Sequence, residues 1–343
     1  MKRSGIFARN IKNIVTFAII LLIFGVSAIA RPELFQADRF PEVVNSVLMW
    51  IPLILTVSMG MMMVVITTGI DLSVGSTVGL SSMVAGIMFR DLGTPLWLGI
   101  LVAMAVGLLC GAANGAIISY LRIPPIIVTL GTMNVYRGLT YIISNGTQVT
   151  GYELPAGMSN VVTQGIYFGS LLIPWMVWIA LAIVVIFALL LRHTHFGREV
   201  YAIGSNREAA HLRGINYKSI IFKIYSIIGL LSGIAGMMYA SRYGYINPSN
   251  TGYGFEFVVI SATIIGGVSV SGGSGTVSGT LLGCLLLGTV NTMLAMVGIG
   301  GTVQRFSYGV IIVIALVLDR IVQISVENRR KQAKGGEFTW KRA

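Results

Sequence analysis

Apolar residues fall in ten long runs, and the short polar stretches between them frame the chain. The runs cover roughly Ile14–Ala30, Val47–Thr67, Leu72–Met88, Leu96–Tyr120, Ile126–Ser144, Leu171–Leu191, Ser219–Ala240, Phe255–Val270, Thr276–Val297 and Phe306–Ile324. Most are near the ~20 residues that a helix needs to cross a bilayer. They are continuous, whereas barrel strands would alternate at every second residue. A helix satisfies its own backbone groups in lipid, so these runs predict helical spans. The expected fold is all-α and polytopic, with about ten transmembrane helices. Two connections, after the second and the eighth runs, are short and rich in Gly and Ser. They predict broken helices near Gly69–Asp71 and Gly266–Gly275, where glycine permits irregular backbone. The expected organisation is an N-tail at 1–13, one transmembrane domain at 14–324 with a polar loop at 192–218, and a C-tail at 325–343.

Composition narrows the class. The 343 residues are 55% hydrophobic and 10% charged, with a mean hydropathy of +0.83. A soluble domain carries about 25% charged residues and could not bury so much apolar surface. The 42 glycines suit close contact between helices in lipid. Cys110 and Cys284 both fall inside apolar runs, which argues against a disulfide framework. The net charge of +12 raises the question of nucleic acid, but topology accounts for it. Lys2, Arg3, Arg9 and Lys12 precede the first run. Arg192, Arg198, Arg207, Arg213 and Lys218 follow the sixth, and Arg329, Arg330, Lys331, Lys334, Lys341 and Arg342 follow the tenth. Ten spans put these three segments on one side, which the positive-inside rule makes cytoplasmic. The loop Asn145–Ser170, on the other side, contains neither Lys nor Arg. The N-terminal basic residues, first run and Ser-Ala-Ile-Ala also resemble a signal peptide, but the run is long for one, so a retained span is expected.

Catalytic and metal motifs are missing. No Gly-Lys dipeptide occurs, so there is no phosphate-binding loop of the Walker type. His193 and His195 stand alone at the end of the sixth run, as an interfacial pair would, and no metal site is expected. No nucleophile and base form a recognisable set, so the chain is not expected to be an enzyme itself.

Three stretches carry candidate function. In Ser205–Ile215, Ser205 and Glu208 have the spacing of a capping box, and Gly214 suits a helix terminator. Ala209 and Ala210 would leave one face of this short helix bare for another surface to approach. In Thr67–Gly79, Asp71 can cap the following helix, whose Ser73, Ser76, Thr77, Ser81 and Ser82 are out of place on a lipid-facing surface. Gly266–Gly279 loosely echoes that stretch, and broken helices in paired positions border the path of many transporters. Candidate path residues are Asp71, Ser73, Asn114, Thr129, Asn134, Arg137, Glu256 and Asn291. Amides and hydroxyls suit a neutral, hydroxylated solute, whereas a proton-driven carrier more often shows several buried carboxylates or histidines.

Four motifs in order, Gly69–Ser76 (GIDLSVGS), Arg122–Met133 (RIPPIIVTLGTM), Phe196–Ile215 (FGREVYAIGSNREAAHLRGI) and Gly266–Gly279 (GGVSVSGGSGTVSG), resemble those of the membrane subunit of bacterial ABC importers of the ribose type. That group serves ribose, xylose, galactosides, rhamnose and autoinducer-2. Glu208–Gly214 also matches the EAA-x-x-x-G pattern of ABC permeases. The resemblance implies that Glu208, Ala209, Ala210 and Gly214, led into by Gly204, Ser205 and Asn206, dock as a coupling helix on a cytoplasmic ATPase. It further implies ATP and Mg on that separate chain and no cofactor on this one. A second permease copy, identical or related, and a periplasmic or lipid-anchored sugar-binding protein would complete the assembly in the bacterial cytoplasmic (inner) membrane. The competing reading is an autonomous secondary carrier or channel; the coupling pattern and the scarcity of buried carboxylates argue against it.

Overall fold

The computed structural model describes the backbone of residues 2–303 and of scattered positions between 306 and 317. The predicted span Phe306–Ile324 lies largely outside the described residues, and the tail 325–343 lies wholly outside them. Helix α1 (Lys2–Ala30) runs without interruption from the predicted N-tail through the first span. It is followed by α2 (Phe40–Ile66), α3 (Val74–Leu92), α4 (Leu96–Leu121) and α5 (Pro125–Ser144). A loop with the one-turn helix α6 (Asn160–Thr163) leads to an antiparallel hairpin, β1 (Gly165–Phe168) and β2 (Leu171–Pro174). Then come α7 (Trp175–His193), α8 (His195–Ser205), α9 (Arg207–Leu212), α10 (Tyr217–Tyr243), α11 (Phe255–Ile265) and α12 (Val277–Met296). Six of these, α2, α4, α5, α7, α10 and α12, are long and apolar enough to cross a membrane by themselves.

Prolines set several boundaries. Pro41 and Pro125 occupy first-turn positions of α2 and α5, and Pro95 and Pro174 cap α4 and α7. An N-terminal proline removes only an amide that has no partner inside the helix. Pro174 also explains a difference from the sequence reading. Leu171–Ile173 belong to the apolar run but pair with β1, and the helix begins only at Trp175. Short apolar strands and helix starts are alike in hydropathy.

The core is built around α2, whose residues from Ile51 to Ile66 are all buried. A helix apolar on every side belongs inside a bundle. Helix α10 packs against α4 through glycine on both sides. A Cβ built on Gly107 would meet the Gly229 carbonyl and lie 2.8 Å from the Gly233 nitrogen. One on Gly111 would lie 2.9 Å from the Gly229 Cα, and one on Gly115 would lie 2.9 Å from the Phe222 carbonyl. Backbones can approach this closely only where no side chain intervenes, and tight packing is what holds helices together in lipid.

Two helices begin far from the ends of the bundle. A Cβ on Gly236, in the last third of α10, would stand 2.9 Å from the Val78 carbonyl in the second turn of α3. Helix α3 therefore starts near the middle of α10, and residues 67–73 climb to that depth without helix. From the opposite side, residues 244–254 descend along α3. Ile246 pairs with Val149 beside Gly86, while Gly252 lies against Gly75. The eleven-residue step from Gly75 to Gly86 corresponds to about 16 Å of helix. The predicted span Phe255–Val270 is thus a half-length helix, with Glu256 at depth instead of at the bundle end. Irregular backbone at such depth is tolerated when it is enclosed by protein.

Candidate coupling loop and translocation route

Each piece of the polar loop is held by its own cap. Thr194 Oγ1 accepts from the Gly197 amide at 3.1 Å to start α8. Asn206 Oδ1 accepts from the Ala209 amide at 2.9 Å to start α9, and Asn216 Oδ1 accepts from the Ser219 amide at 3.2 Å to start α10. The expected Ser205–Glu208 capping box does not form. Ser205 still belongs to α8, where its hydroxyl donates to the Tyr201 carbonyl at 2.8 Å. Asn206 has the extended backbone that a cap requires, so the cap moves one residue along and Glu208 lies in the first turn. A carboxylate there still favours the positive end of the helix. Gly214 terminates the turn as expected, with φ +80°, and its amide donates to the His211 carbonyl at 2.9 Å.

The two alanines of α9 do not share a bare face: Ala210 packs inward and Ala209 is exposed. Beside Ala209, Glu208 is exposed and Leu212 is 87% exposed, an apolar side chain held out from a capped helix. Arg207 stacks over the Tyr217 ring at 3.6 Å and ties α9 to the start of α10.

The end of α8 locks into the end of α2, where the segment 67–73 begins, and into the loop 266–276. The Gly273 amide donates to the Ile66 carbonyl at 2.9 Å, joining the 266–276 loop to the end of α2. Gly204 sits on that bond: its missing Cβ would overlap the Ile66 carbonyl and lie 2.6 Å from the Gly273 nitrogen. Tyr201 donates to the Gly275 carbonyl at 3.0 Å. The weak sequence echo between the two glycine-rich stretches therefore has a spatial counterpart, because both stretches close on one residue of α8.

From this clasp a buried polar network runs inward. Asp71 Oδ1 accepts from the Ser73 amide at 2.8 Å and from its hydroxyl at 2.6 Å, just ahead of α3. Asp71 thus serves Ser73 and not an amide inside α3. Asn114 of α4 donates to Ser73 Oγ at 2.8 Å, and Tyr136 of α5 donates to Asn114 Oδ1 at 3.2 Å. Thr129 of α5 donates to the Ile70 carbonyl at 3.2 Å. Asp71, Ser73, Asn114 and Thr129 are brought together, and they are packed in protein. The other α3 hydroxyls follow suit: Ser76, Ser81 and Ser82 bond back to carbonyls of their own helix or its cap. They border none of the described cavities.

Arg137 and Glu256 flank the second irregular segment. Arg137 donates to the Thr251 carbonyl at 2.7 Å, and Glu256 Oε2 lies against Gly75 in the first turn of α3. Glu256 is only 6% exposed. The N-termini of α3 and α11 meet here, and a carboxylate between them offsets their partial positive charge. Asn134 stands apart on an exposed face of α5 and donates to the Leu130 carbonyl at 2.9 Å. Asn291 alone among the eight path candidates lines a described cavity. That cavity is walled by Trp50, Tyr239, Tyr243 and Tyr253, which the sequence reading passed over; the aromatic pair four residues apart on α10 was the available signal.

A polytopic helical bundle in which two helices begin at depth has the build of a membrane permease. Residues 43–316 match the family described as the permease component of branched-chain amino acid transport systems, and the chain belongs to that family. It is a permease of the ABC import class. It is 34% identical to the autoinducer 2 import system permease protein LsrC of Yersinia enterocolitica over 97% of this chain and 89% of the relative. It is 32% identical to the protein of the same name from Yersinia pseudotuberculosis, over 97% and 92% respectively. No solved structure matches it.

Proposed function

We propose that this chain imports a neutral sugar or sugar-like solute of the autoinducer 2 kind, by alternating access driven from a separate ATPase that docks on α9. The observation that carries this reading is the clasp at Gly204. It ties an exposed, well-capped helix to the end of α2, from which the segment 67–73 leaves for mid-depth, and to the loop 266–276 that follows α11. A push or pull on α9 reaches both segments at once, and through Ser73, Asn114 and Tyr136 it reaches α4 and α5. The α9 end faces the cytoplasm in this reading, and the hairpin end faces outward in the bacterial inner membrane. ATP and Mg belong to the partner ATPase, and a binding protein delivers the solute to the hairpin end. A second permease copy completes the path, and the exposed face of α5 that carries Asn134 is available for it.

Glu208, Ala209 and Leu212 form the contact, while Gly204, Ser205, Asn206, Ala210 and Gly214 shape and anchor the helix. Gly131 and Gly138 of α5 have open space where a side chain would stand, which suits a close neighbour. An Ala209→Cys variant tests the docking. Cys110 and Cys284 are buried, so a bifunctional thiol reagent should act mainly at the new site. Cross-linking to the ATPase is expected, and it should be lost on Asn206→Ala. An Ala209→Cys chain that cross-links only to lipid or to nothing, in an assembled complex, would refute the docking.

A further inference from the structure

Trp50 of α2, Tyr239 and Tyr243 of α10, Tyr253 of the irregular segment 244–254 and Asn291 of α12 line a cavity of about 200 Å³ that opens to the surface beside Asn250 and Gly301. It is smaller than the ~300–1,000 Å³ pockets that take drug-sized ligands. Its walls are aromatic rings and amides, and none of its described lining residues carries a charge. The rings are braced from outside the cavity lining. Arg242 lies 5.5 Å from both the Trp50 and Tyr243 ring centres, and Arg137 lies 5.9 Å from that of Tyr253. Tyr239 and Tyr243 pack at 4.3 Å. A guanidinium against an aromatic face holds the ring in place.

We infer that this aromatic cavity is a holding site for the solute within one protomer, reached from the hairpin end, and that it accepts a single neutral ring compound bearing hydroxyls. This rests on the proposed import function and adds the place where the solute stops. A small cyclic polyol has an apolar C–H face and a rim of hydroxyls. Aromatic rings match the first, and Asn291, Asn250 and the tyrosine hydroxyls match the second. Among the described lining residues no side chain carries a charge to pair with the ammonium or carboxylate of a zwitterion such as leucine, and a buried charge needs a partner. The floor is Gly252, Gly254 and Phe255, at the N-terminus of α11. The solute therefore rests on the irregular segment that lies against α3, so movement of α3 changes the floor of the site.

The test uses vesicles containing the whole importer, this chain with its ATPase and binding protein, and autoinducer 2 as the transported probe. Gly301 lines the cavity at an exposed position, and nothing stands within 4 Å of its Cβ position, so Gly301→Trp adds a bulky ring at the mouth without a clash at the backbone. Uptake per inserted molecule is expected to fall about tenfold or more in Gly301→Trp and in Asn291→Leu, as when a polar contact of a site is lost. The amount of ATPase that co-purifies with each variant should match wild type, since α9 is untouched. Asn291→Gln should recover uptake. If wild-type vesicles import autoinducer 2 and Gly301→Trp imports it equally well, the cavity is not on the route. If wild-type vesicles import leucine and not autoinducer 2, both the proposed solute class and the neutral character of the site are overturned.

Discussion

Replacing Gly204 by alanine puts one methyl group where three backbone segments meet. The new Cβ would overlap the Ile66 carbonyl and stand 2.6 Å from the Gly273 nitrogen. Those two atoms are themselves hydrogen-bonded at 2.9 Å, so the methyl cannot enter without parting them. Overpacking of a tight contact costs about 1–3 kcal/mol. Loss of the bond adds about 0.5–1.5 kcal/mol. The closed clasp is therefore weakened by about 1.5–4.5 kcal/mol, a bias of roughly 10- to 2,000-fold toward separation. Uptake and ATP hydrolysis should be measured in the same vesicles and expressed as a ratio. ATP hydrolysis is expected to persist while uptake per ATP collapses, because α9 still docks but no longer carries the two segments. Gly214→Ala is the comparison: its φ of +80° strains the alanine by about 1–2 kcal/mol, but open space surrounds the position. That variant should disturb docking before coupling. A Gly204→Ala importer with the wild-type ratio and unchanged thermal stability would refute the clasp.

Other substitutions separate neighbouring roles. Asn206→Ala should cost α9 about 0.5–2 kcal/mol, seen as faster hydrogen exchange at Ala209, while Ser205→Ala should leave that amide unchanged; the reverse order would restore the Ser205 cap. Asp71→Leu leaves the buried Ser73 amide and hydroxyl without their acceptor, at about 1–3 kcal/mol each, and should lower the yield of folded protein. Asp71→Asn keeps an acceptor oxygen and should be milder; equal loss in both would mean that the negative charge itself is needed. In the 145–164 loop, backbone and side-chain hydrogen bonds from Thr150 hold the Glu153 carboxyl below the usual carboxylate range. A depressed acid stabilises the turn above its unfolded pKa and loses that contribution as pH falls through the folded value. Exchange of the Thr150 amide should accelerate on acidification and be insensitive to it in Glu153→Gln. An impermeant thiol reagent outside intact cells should label Tyr152→Cys, at a site 96% exposed in this structure, and not Ser205→Cys; the opposite pattern would invert the proposed orientation.

The long helices were legible because hydropathy and length decide them. Predicted Leu96–Tyr120, Ile126–Ser144 and Thr276–Val297 became α4, α5 and α12 with ends moved by a residue or so. What stayed hidden was depth. Phe255–Val270 reads as one span, yet its helix stops at Ile265 before a glycine–serine loop, and its Glu256 is carried inward by a segment whose composition resembles any surface loop. Hydropathy counts what a run contains and not where it begins. The serines of α3 were recognised as unsuited to lipid, but bonding back to their own helix is as good a use for them as facing water. The short helix at 207–212 was legible from its sequence pattern, and its cap was misplaced by one residue because Ser205 and Asn206 are both good caps and only backbone geometry chooses between them. The aromatic cavity had almost no signal, since Trp50, Tyr243 and Asn291 come from three distant helices.

The central claim is that an ATPase acting through α9 drives this permease. Vesicles holding this chain, its ATPase and its binding protein should be assayed for autoinducer 2 uptake with ATP present and with ATP absent under an imposed proton or sodium gradient. Uptake that requires ATP, ignores both gradients and disappears in Leu212→Asp, which puts a charge on the exposed tip of α9, is the predicted result. Uptake driven by a gradient without ATP, or by this chain reconstituted alone, would contradict it.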